Sequence, residues 1–158
     1  MTLSVALRPT TPADLVTLFH FQLDPEGAYL AAFMPPDQFD QAAYLERYTR
    51  LLQDPTIRMQ SIWVGDTLIG SIAKYEMEGE AELTYWLDRT WWGKGIATRA
   101  LAQFLTVETT RPLQARVAFD NLGSQRVLEK GGFSRIGTAS GFAQARKAEI
   151  EEYIYQLQ

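Results

Sequence analysis

Gly93 and Gly95 stand between a strand-like run that ends at Asp88 and a helical run that starts at Ile96. Strand, glycine loop, helix is an arrangement that presents free backbone N–H groups at a helix N-terminus. There the helix dipole adds to them and favours an anion such as phosphate. Glycine lets that anion approach the backbone closely. A plain strand-to-helix turn explains the same residues, so the loop alone names no ligand. Two familiar phosphate loops fit badly. A Walker A loop needs Gly-x4-Gly-Lys-Ser/Thr, but Gly95 follows Gly93-Lys94 and Asp88 holds the place of the first glycine. A dinucleotide fingerprint ends in a third glycine where this chain has Thr98.

Two further positions carry chemical groups. In the run Ala81–Asp88, Glu82, Thr84 and Trp86 share one face, and Leu83, Tyr85 and Leu87 the other. A carboxylate beside apolar neighbours has a raised pKa and can take a proton directly or through water. The alternative is a solvated strand glutamate in company with Glu76, Glu78 and Glu80. Ser124 falls at helical spacing with Val127, Leu128 and Gly131, which turns its hydroxyl inward. A capping hydroxyl in a first helical turn is the other reading.

The elements that hold these groups follow from periodicity. Residues 3–8 alternate as a first strand. Thr11-Pro12 starts a helix that should run to about Leu23, and Asp24-Pro25-Glu26-Gly27 reads as its break. Met34-Pro35-Pro36-Asp37 makes a loop. Tyr44, Leu45, Tyr48, Leu51 and Leu52 mark one face of a second helix, ended by Asp54-Pro55. Strand-like runs follow at 58–64, 68–77 and 81–88, separated at Gly65-Asp66-Thr67 and Glu78-Gly79-Glu80. Ile96, Ala100, Leu101, Phe104 and Leu105 form the apolar face of the next helix. Residues 113–119 read as a strand, Asn121 as the cap of a helix that closes at Gly131-Gly132, and 133–138 and 147–156 as the last strands. Antiparallel strands followed by β-α-β crossovers predict an α/β fold: a mixed, mostly antiparallel central sheet of about seven strands flanked by helices on both faces.

Composition narrows the chemistry. The 158 residues suit one domain, 1–158, able to bury a core. The absence of cysteine removes disulfides, thiolate zinc sites, thiol nucleophiles and iron–sulfur clusters. A histidine zinc site or a serine triad would rest on His20 alone, so no metal is expected, and His20 reads as structural. The formal net charge of −4 lacks the basic footprint of a nucleic-acid binder. No leader peptide and no membrane-length apolar run is evident, so a cytoplasmic protein with no nucleic-acid or membrane partner, monomeric or homodimeric, is expected.

With the elements in order, the motifs resemble a family. Trp92-Gly93-Lys94-Gly95-Ile96-Ala97-Thr98 looks like the acyl-CoA pyrophosphate loop of the GNAT superfamily of N-acetyltransferases, Gln/Arg-x-x-Gly-x-Gly/Ala, with Gly95 and Ala97 matching. Trp92 replaces the leading Gln/Arg, a departure common in the RimJ/RimL-type branch, and Tyr85-Trp86-Leu87-Asp88 resembles that branch too. Residues 121–133 resemble its Asn-x-x-Ser-x-x-Val-Leu-Glu-Lys-x-Gly-Phe. Leu128 occupies the position where many superfamily members carry a tyrosine general acid. The motifs cover residues 81–133, and the element order extends the likeness over nearly the whole chain. Residues 20–55, where the family chooses its acceptor, match nothing specific.

The resemblance implies acetyl-CoA as co-substrate, without a metal, and an amine acceptor: a protein or peptide N-terminus or a small molecule. It places Tyr85, Trp86, Leu87, Trp92, Gly93, Lys94, Gly95, Ile96, Ala97, Thr98, Asn121 and Ser124 around the acyl-CoA. Direct attack of the amine on the thioester needs deprotonation, a polarised carbonyl and a thiolate able to leave. Glu82 is the candidate base and Ser124 the candidate donor to the sulfur. Strand backbone at 85–87 could bind the pantetheine amides as an added strand would.

Charge placement agrees. Residues 89–130 hold seven basic residues (Arg89, Lys94, Arg99, Arg111, Arg116, Arg126, Lys130) against three acids (Glu108, Asp120, Glu129), which suits a polyanion. Asp24, Glu26, Asp37 and Asp40, with no Lys or Arg among residues 21–40, suit a cationic acceptor; solvated surface is the alternative for both runs. Phe19, Phe21, Tyr29, Phe33 and Phe39 read as core or loop packing rather than as an acceptor pocket. Two other functions remain open: a catalytically idle acyl-CoA-binding sensor or interaction module, and a nucleotide-phosphate binder unrelated to CoA.

Overall fold

The computed structural model describes residues 4–158. Leu3, the first residue of the expected opening strand, and the start of the stretch read for a leader lie outside that range. Strand β1 (Val5–Pro9) is followed by a short 3-10 turn (Pro12–Asp14) and helices α1 (Leu15–Phe21), α2 (Pro25–Ala31) and α3 (Gln41–Leu51). Strands β2 (Arg58–Val64), β3 (Thr67–Met77) and β4 (Glu80–Leu87) form a meander. A second 3-10 turn (Arg89–Trp91) leads to α4 (Ile96–Val107), β5 (Leu113–Ala118), α5 (Leu122–Lys130), β6 (Ser134–Ala143) and β7 (Ala148–Leu157).

The order of strands in the single sheet is β1-β2-β3-β4-β5-β7-β6, and only β4 and β5 run parallel. Every other neighbour is antiparallel. This is the seven-stranded, mostly antiparallel sheet that the patterning predicts.

The two faces carry separate cores. Ile62, Ile72, Leu83 and Leu87 of the sheet pack with Ile96, Leu101 and Phe104 of α4 and Leu128 of α5. Burying each such side chain is worth about 1.5–3 kcal/mol, which fixes α4 and α5 on that face. On the other side Leu15, Leu18 and Phe19 of α1 pack with Tyr44 of α3, flanked by Met59 and Leu68. His20 is exposed, its ring edge-on to Phe19.

Two boundaries differ from the sequence reading. The expected break at 24–27 is the start of α2. Asp24 accepts a hydrogen bond from the Gly27 amide at 3.0 Å, and Pro25 takes the first helical position, where its missing N–H costs nothing. The residues read as a breaker are therefore an N-cap, and α1 ends at Phe21. Strand β6 continues to Ala143 instead of stopping at 138. Its weak strand formers Ser140 and Gly141 are held by pairing with Glu151 and Ile150 of β7. Among the described residues no helix is long and apolar enough to cross a membrane.

Candidate active site

Strands β4 and β5 pair over only three positions, Ala81 with Leu113, Glu82 with Gln114 and Leu83 with Ala115. Beyond Leu83 the strands part, and β4 runs on to Leu87. The Asp88 amide donates to the Ile69 carbonyl of β3 at 2.8 Å. Backbone groups alternate along a strand, so Trp86 and Thr84 also face β3, and Tyr85 and Leu87 turn theirs into the gap. The Leu87 carbonyl there accepts from the Trp92 indole Nε1 at 3.1 Å. A cleft of about 1080 Å³ runs through the gap and is lined from both faces of β4.

On one face the cleft meets the start of α4. Gly95 is the N-cap, with φ +73°, and Gly93 has φ +74°. Both lie in the left-handed region where a side chain is strained. No side chain caps the helix, so the first amides of α4 face the loop without a protein acceptor of that kind. Ile96, Ala97 and Thr98 line the cleft, and the Ile96 side chain is almost wholly buried. Lys94 is exposed on the loop.

The start of α5 lies on the same side. Asn121 caps it through an Oδ1 that accepts from the Ser124 amide at 3.3 Å, and its Nδ2 reaches the Leu30 carbonyl of α2 at 3.4 Å. Its side chain is thus held by the protein, in the capping role the sequence allowed. Ser124 is half-buried and lines the cleft with Val127 and Leu128. The Tyr85 hydroxyl donates to Ser124 Oγ at 2.9 Å. Ser124 accepts that bond, which leaves its own proton free to be donated. Burial raises the Tyr85 phenol above its ordinary range and keeps it neutral. This phenol was missed in the sequence, where only the Tyr85 backbone was considered. The available signal was a tyrosine on the apolar Leu83/Leu87 face, because a buried phenol needs a partner.

The other face of β4 is built differently. Trp86 lies against Gly27 of α2, where an added Cβ would sit 3.0 Å from the indole ring. Thr84 is exposed to the cleft. Glu82 is only 1% exposed. Its Oε1 accepts from Arg116 Nε at 3.1 Å, and its Oε2 is buried without a protein partner. Burial raises the Glu82 pKa above the usual carboxylate value, and Arg116 offsets part of that rise. Glu82 itself does not line the cleft. Arg116, Thr84 and Glu152 do. Arg116 Nη1 donates to Glu152 Oε1 at 3.0 Å. Neither Arg116 nor Glu152 was singled out as a site residue in the sequence.

The charge runs divide unevenly. Arg126 and Lys130 of α5 line the cleft, as a polyanion site requires. Arg89, however, pairs with Glu26 at 2.8 Å and Asp24 at 3.3 Å, and Arg116 serves Glu82 and Glu152. The acidic run at 24–40 does not form an open cation site. Asp24 and Asp40 cap α2 and α3, and Asp37 is held below its ordinary pKa by two 2.8 Å bonds from Arg47. The aromatics divide as well. Phe19 is core, Phe39 is exposed, and Phe33 lines the cleft.

Solved structures similar to this fold include acetyltransferases. A ribosomal-protein-S5-alanine acetyltransferase from Vibrio fischeri superposes with a TM-score of 0.79 at 18% identity, covering 97% of this chain and 92% of its own. RimL, a ribosomal L7/L12 α-N-protein acetyltransferase solved with coenzyme A, superposes with a TM-score of 0.78 at 19% identity over 96% and 93%. At such identities the likeness is one of fold. In sequence, an uncharacterized N-acetyltransferase p20 from Bacillus licheniformis is 25% identical over 166 aligned residues, 97% of this chain and 92% of the relative. The model of the acetyltransferase (GNAT) domain matches residues 4–134. That span includes the parted strands, the glycine loop and the Ser124 helix, and the chain belongs to the GNAT acetyltransferase family.

Proposed function

We propose that residues 1–158 act as one cytoplasmic acyl-CoA N-acyltransferase domain. It moves the acetyl group of acetyl-CoA to a primary amine by direct attack in a ternary complex. The observation that carries this reading is the parting of β4 from β5 at Leu83, with a buried carboxylate on one face of β4 and a hydrogen-bonded hydroxyl pair on the other.

Each part has a physical task. The uncapped α4 amides behind Gly93 and Gly95 suit the pyrophosphate. The gap-facing groups of Tyr85 and Leu87 suit the pantetheine amides, which would continue the sheet where β5 leaves it. The acceptor ammonium loses a proton towards Glu82 through a bridging water, because Arg116, which holds that carboxylate, lines the cleft and Glu82 does not. The amine nitrogen then attacks the thioester carbon. The C–S bond breaks with its electron pair on sulfur, Ser124 donates a proton to it while accepting from Tyr85, and the second proton lost by the attacking nitrogen restores the hydroxyl pair. With Leu128 in place of the family's tyrosine, the phenol near the sulfur comes from the strand.

Solved relatives named for acetylating ribosomal proteins put N-terminal peptides beside small amines as acceptors to test. The experiment is thiol release from acetyl-CoA across a panel of both. Amine-dependent release is expected. Tight acetyl-CoA binding with no release across the panel would leave a sensor, and binding of ATP but not of CoA would overturn both readings.

A further inference from the structure

Glu82 shares its guanidinium. Arg116 lies on β5 between Gln114, which pairs with Glu82 of β4, and Ala118, which pairs with Glu152 of β7. All three charged side chains therefore stand on one face of the sheet, across three strands. Arg116 Nε donates to Glu82 at 3.1 Å and Nη1 to Glu152 at 3.0 Å. Side-chain exposure rises outwards, from 2% at Glu82 to 14% at Glu152 and 33% at Arg116. Only Arg116 and Glu152 of the three line the cleft. Two carboxylates on one guanidinium leave a surplus negative charge, and the half of it that a ligand meets belongs to Glu152.

We propose that Glu82, Arg116 and Glu152 act as one unit, in which Glu152 receives the acceptor's ammonium and Arg116 holds both carboxylates in place. This rests on the acetyl-transfer reading above and deepens it. Glu152 forms an ion pair with the ammonium at the cleft wall. Proton loss then breaks an N–H bond, leaves its electron pair on nitrogen and delivers the proton through water to Glu82. Arg116 is the positioning residue. Selectivity follows: an acceptor that is cationic before reaction is drawn to this wall, and a neutral alcohol is not.

The titratable and charged groups around Glu82 are Glu80 on its own strand, Tyr75 on β3, Arg116 on β5 and Glu152 on β7. Tyr48 of α3 lies beyond Tyr75. Their coupling can be read without an acceptor, from the titration of labelled glutamate carboxyls by NMR. Glu152→Gln should move the Glu82 midpoint down, because a like charge is gone and Arg116 has one carboxylate left to serve. Arg116→Met should move it up by about one pH unit or more, and Arg116→Lys should move it less. The lysine variant also covers the case that the methionine variant does not fold. With an acceptor in hand, Glu152→Gln should raise the KM for the amine about tenfold and by more than it changes kcat, while acetyl-CoA affinity changes little, since removed binding appears in KM. A Glu82 midpoint that stays in place in Glu152→Gln overturns the shared unit, whatever the enzyme turns over. An unchanged KM in that variant overturns the ammonium contact. Failure of the acetyl-transfer reading is a different result: no thiol release from the wild-type protein, whatever the carboxyl titrations show.

Discussion

On one face of β4 the cleft is made mainly of backbone amides and neutral hydroxyls, the α4 amides behind Gly93 and Gly95 and Ser124 with Tyr85, with Arg126 and Lys130 of α5 also lining it. On the other it is made of charge, with Glu82 behind Arg116 and Glu152. Each part of the first face is written locally, a loop with the helix it opens and the first turn of α5, although Tyr85 reaches Ser124 across 39 residues. The second gathers side chains from β4, β5 and β7, up to 70 residues apart. The first costs little to build, because a helix N-terminus has free amides in any case. The second leaves a carboxylate oxygen buried without a protein partner, at a cost of about 1–3 kcal/mol for an unsatisfied group. A fold that keeps such a group has a use for it, and the contrast assigns the acyl-CoA and its leaving group to the cheap face and deprotonation of the acceptor to the costly one.

The largest effect is expected from the charged face. Glu82→Gln should lower turnover by about 10²-fold or more, the scale of a lost general base, while calorimetry shows acetyl-CoA affinity unchanged. The acidic limb of the wild-type pH profile should lie above the range of an ordinary carboxylate, because burial raises the Glu82 pKa. Below that pH the carboxyl is protonated and accepts nothing. The stability comparison has its own sign. A carboxyl with a folded pKa above its unfolded one binds its proton more tightly when folded. Wild type should therefore gain stability relative to Glu82→Gln as pH falls through the raised value towards the ordinary one. An unchanged rate and pH profile would move the base to Glu152 or to water, and the division between the faces would fail.

A smaller effect is expected from the hydroxyls. Ser124→Ala should slow the chemical step by about 10–10²-fold, because a thiolate with a thiol pKa near 8.5 leaves tolerably without help. Tyr85→Phe should slow it less, since the phenol acts through Ser124. Single-turnover kinetics separates this from binding. Wild-type single-turnover rates in Ser124→Ala would reduce the pair to packing.

The smallest is a pure binding effect at the loop. Gly95→Val should raise the acetyl-CoA dissociation constant by about tenfold, or 1.4 kcal/mol. Among the described residues, none beyond Gly95 and its chain neighbours has an atom within 4 Å of where the new Cβ would lie, so the side chain meets the ligand and the strain of φ +73° rather than a packed neighbour. Thermal unfolding run in parallel isolates the strain. Equal affinity in a folded variant would remove the pyrophosphate from this loop.

The same contrast explains what the sequence disclosed. The glycine loop, the Asn121 cap and the inward Ser124 are written within a few residues, so local spacing placed them. Strand parity put Glu82 opposite Leu83 and Tyr85. It could not find Arg116, because the parallel register that sets Arg116 beside Glu82 is made by tertiary packing. The acidic run at 24–40 misled for a related reason. An aspartate before Pro25 or Gln41 reads equally as surface charge or as a helix cap, and the caps won.

The central claim is that the acyl-CoA arm lies along β4 where β5 has left it, and backbone hydrogen exchange tests it residue by residue. Thr84 and Trp86 direct their amides to β3, and Tyr85 and Leu87 direct theirs into the gap. On adding acetyl-CoA, the Tyr85 and Leu87 amides should slow markedly and those of Thr84 and Trp86 should change little. Tight binding that leaves Tyr85 and Leu87 exchanging at their free rates would place the ligand elsewhere and contradict the account.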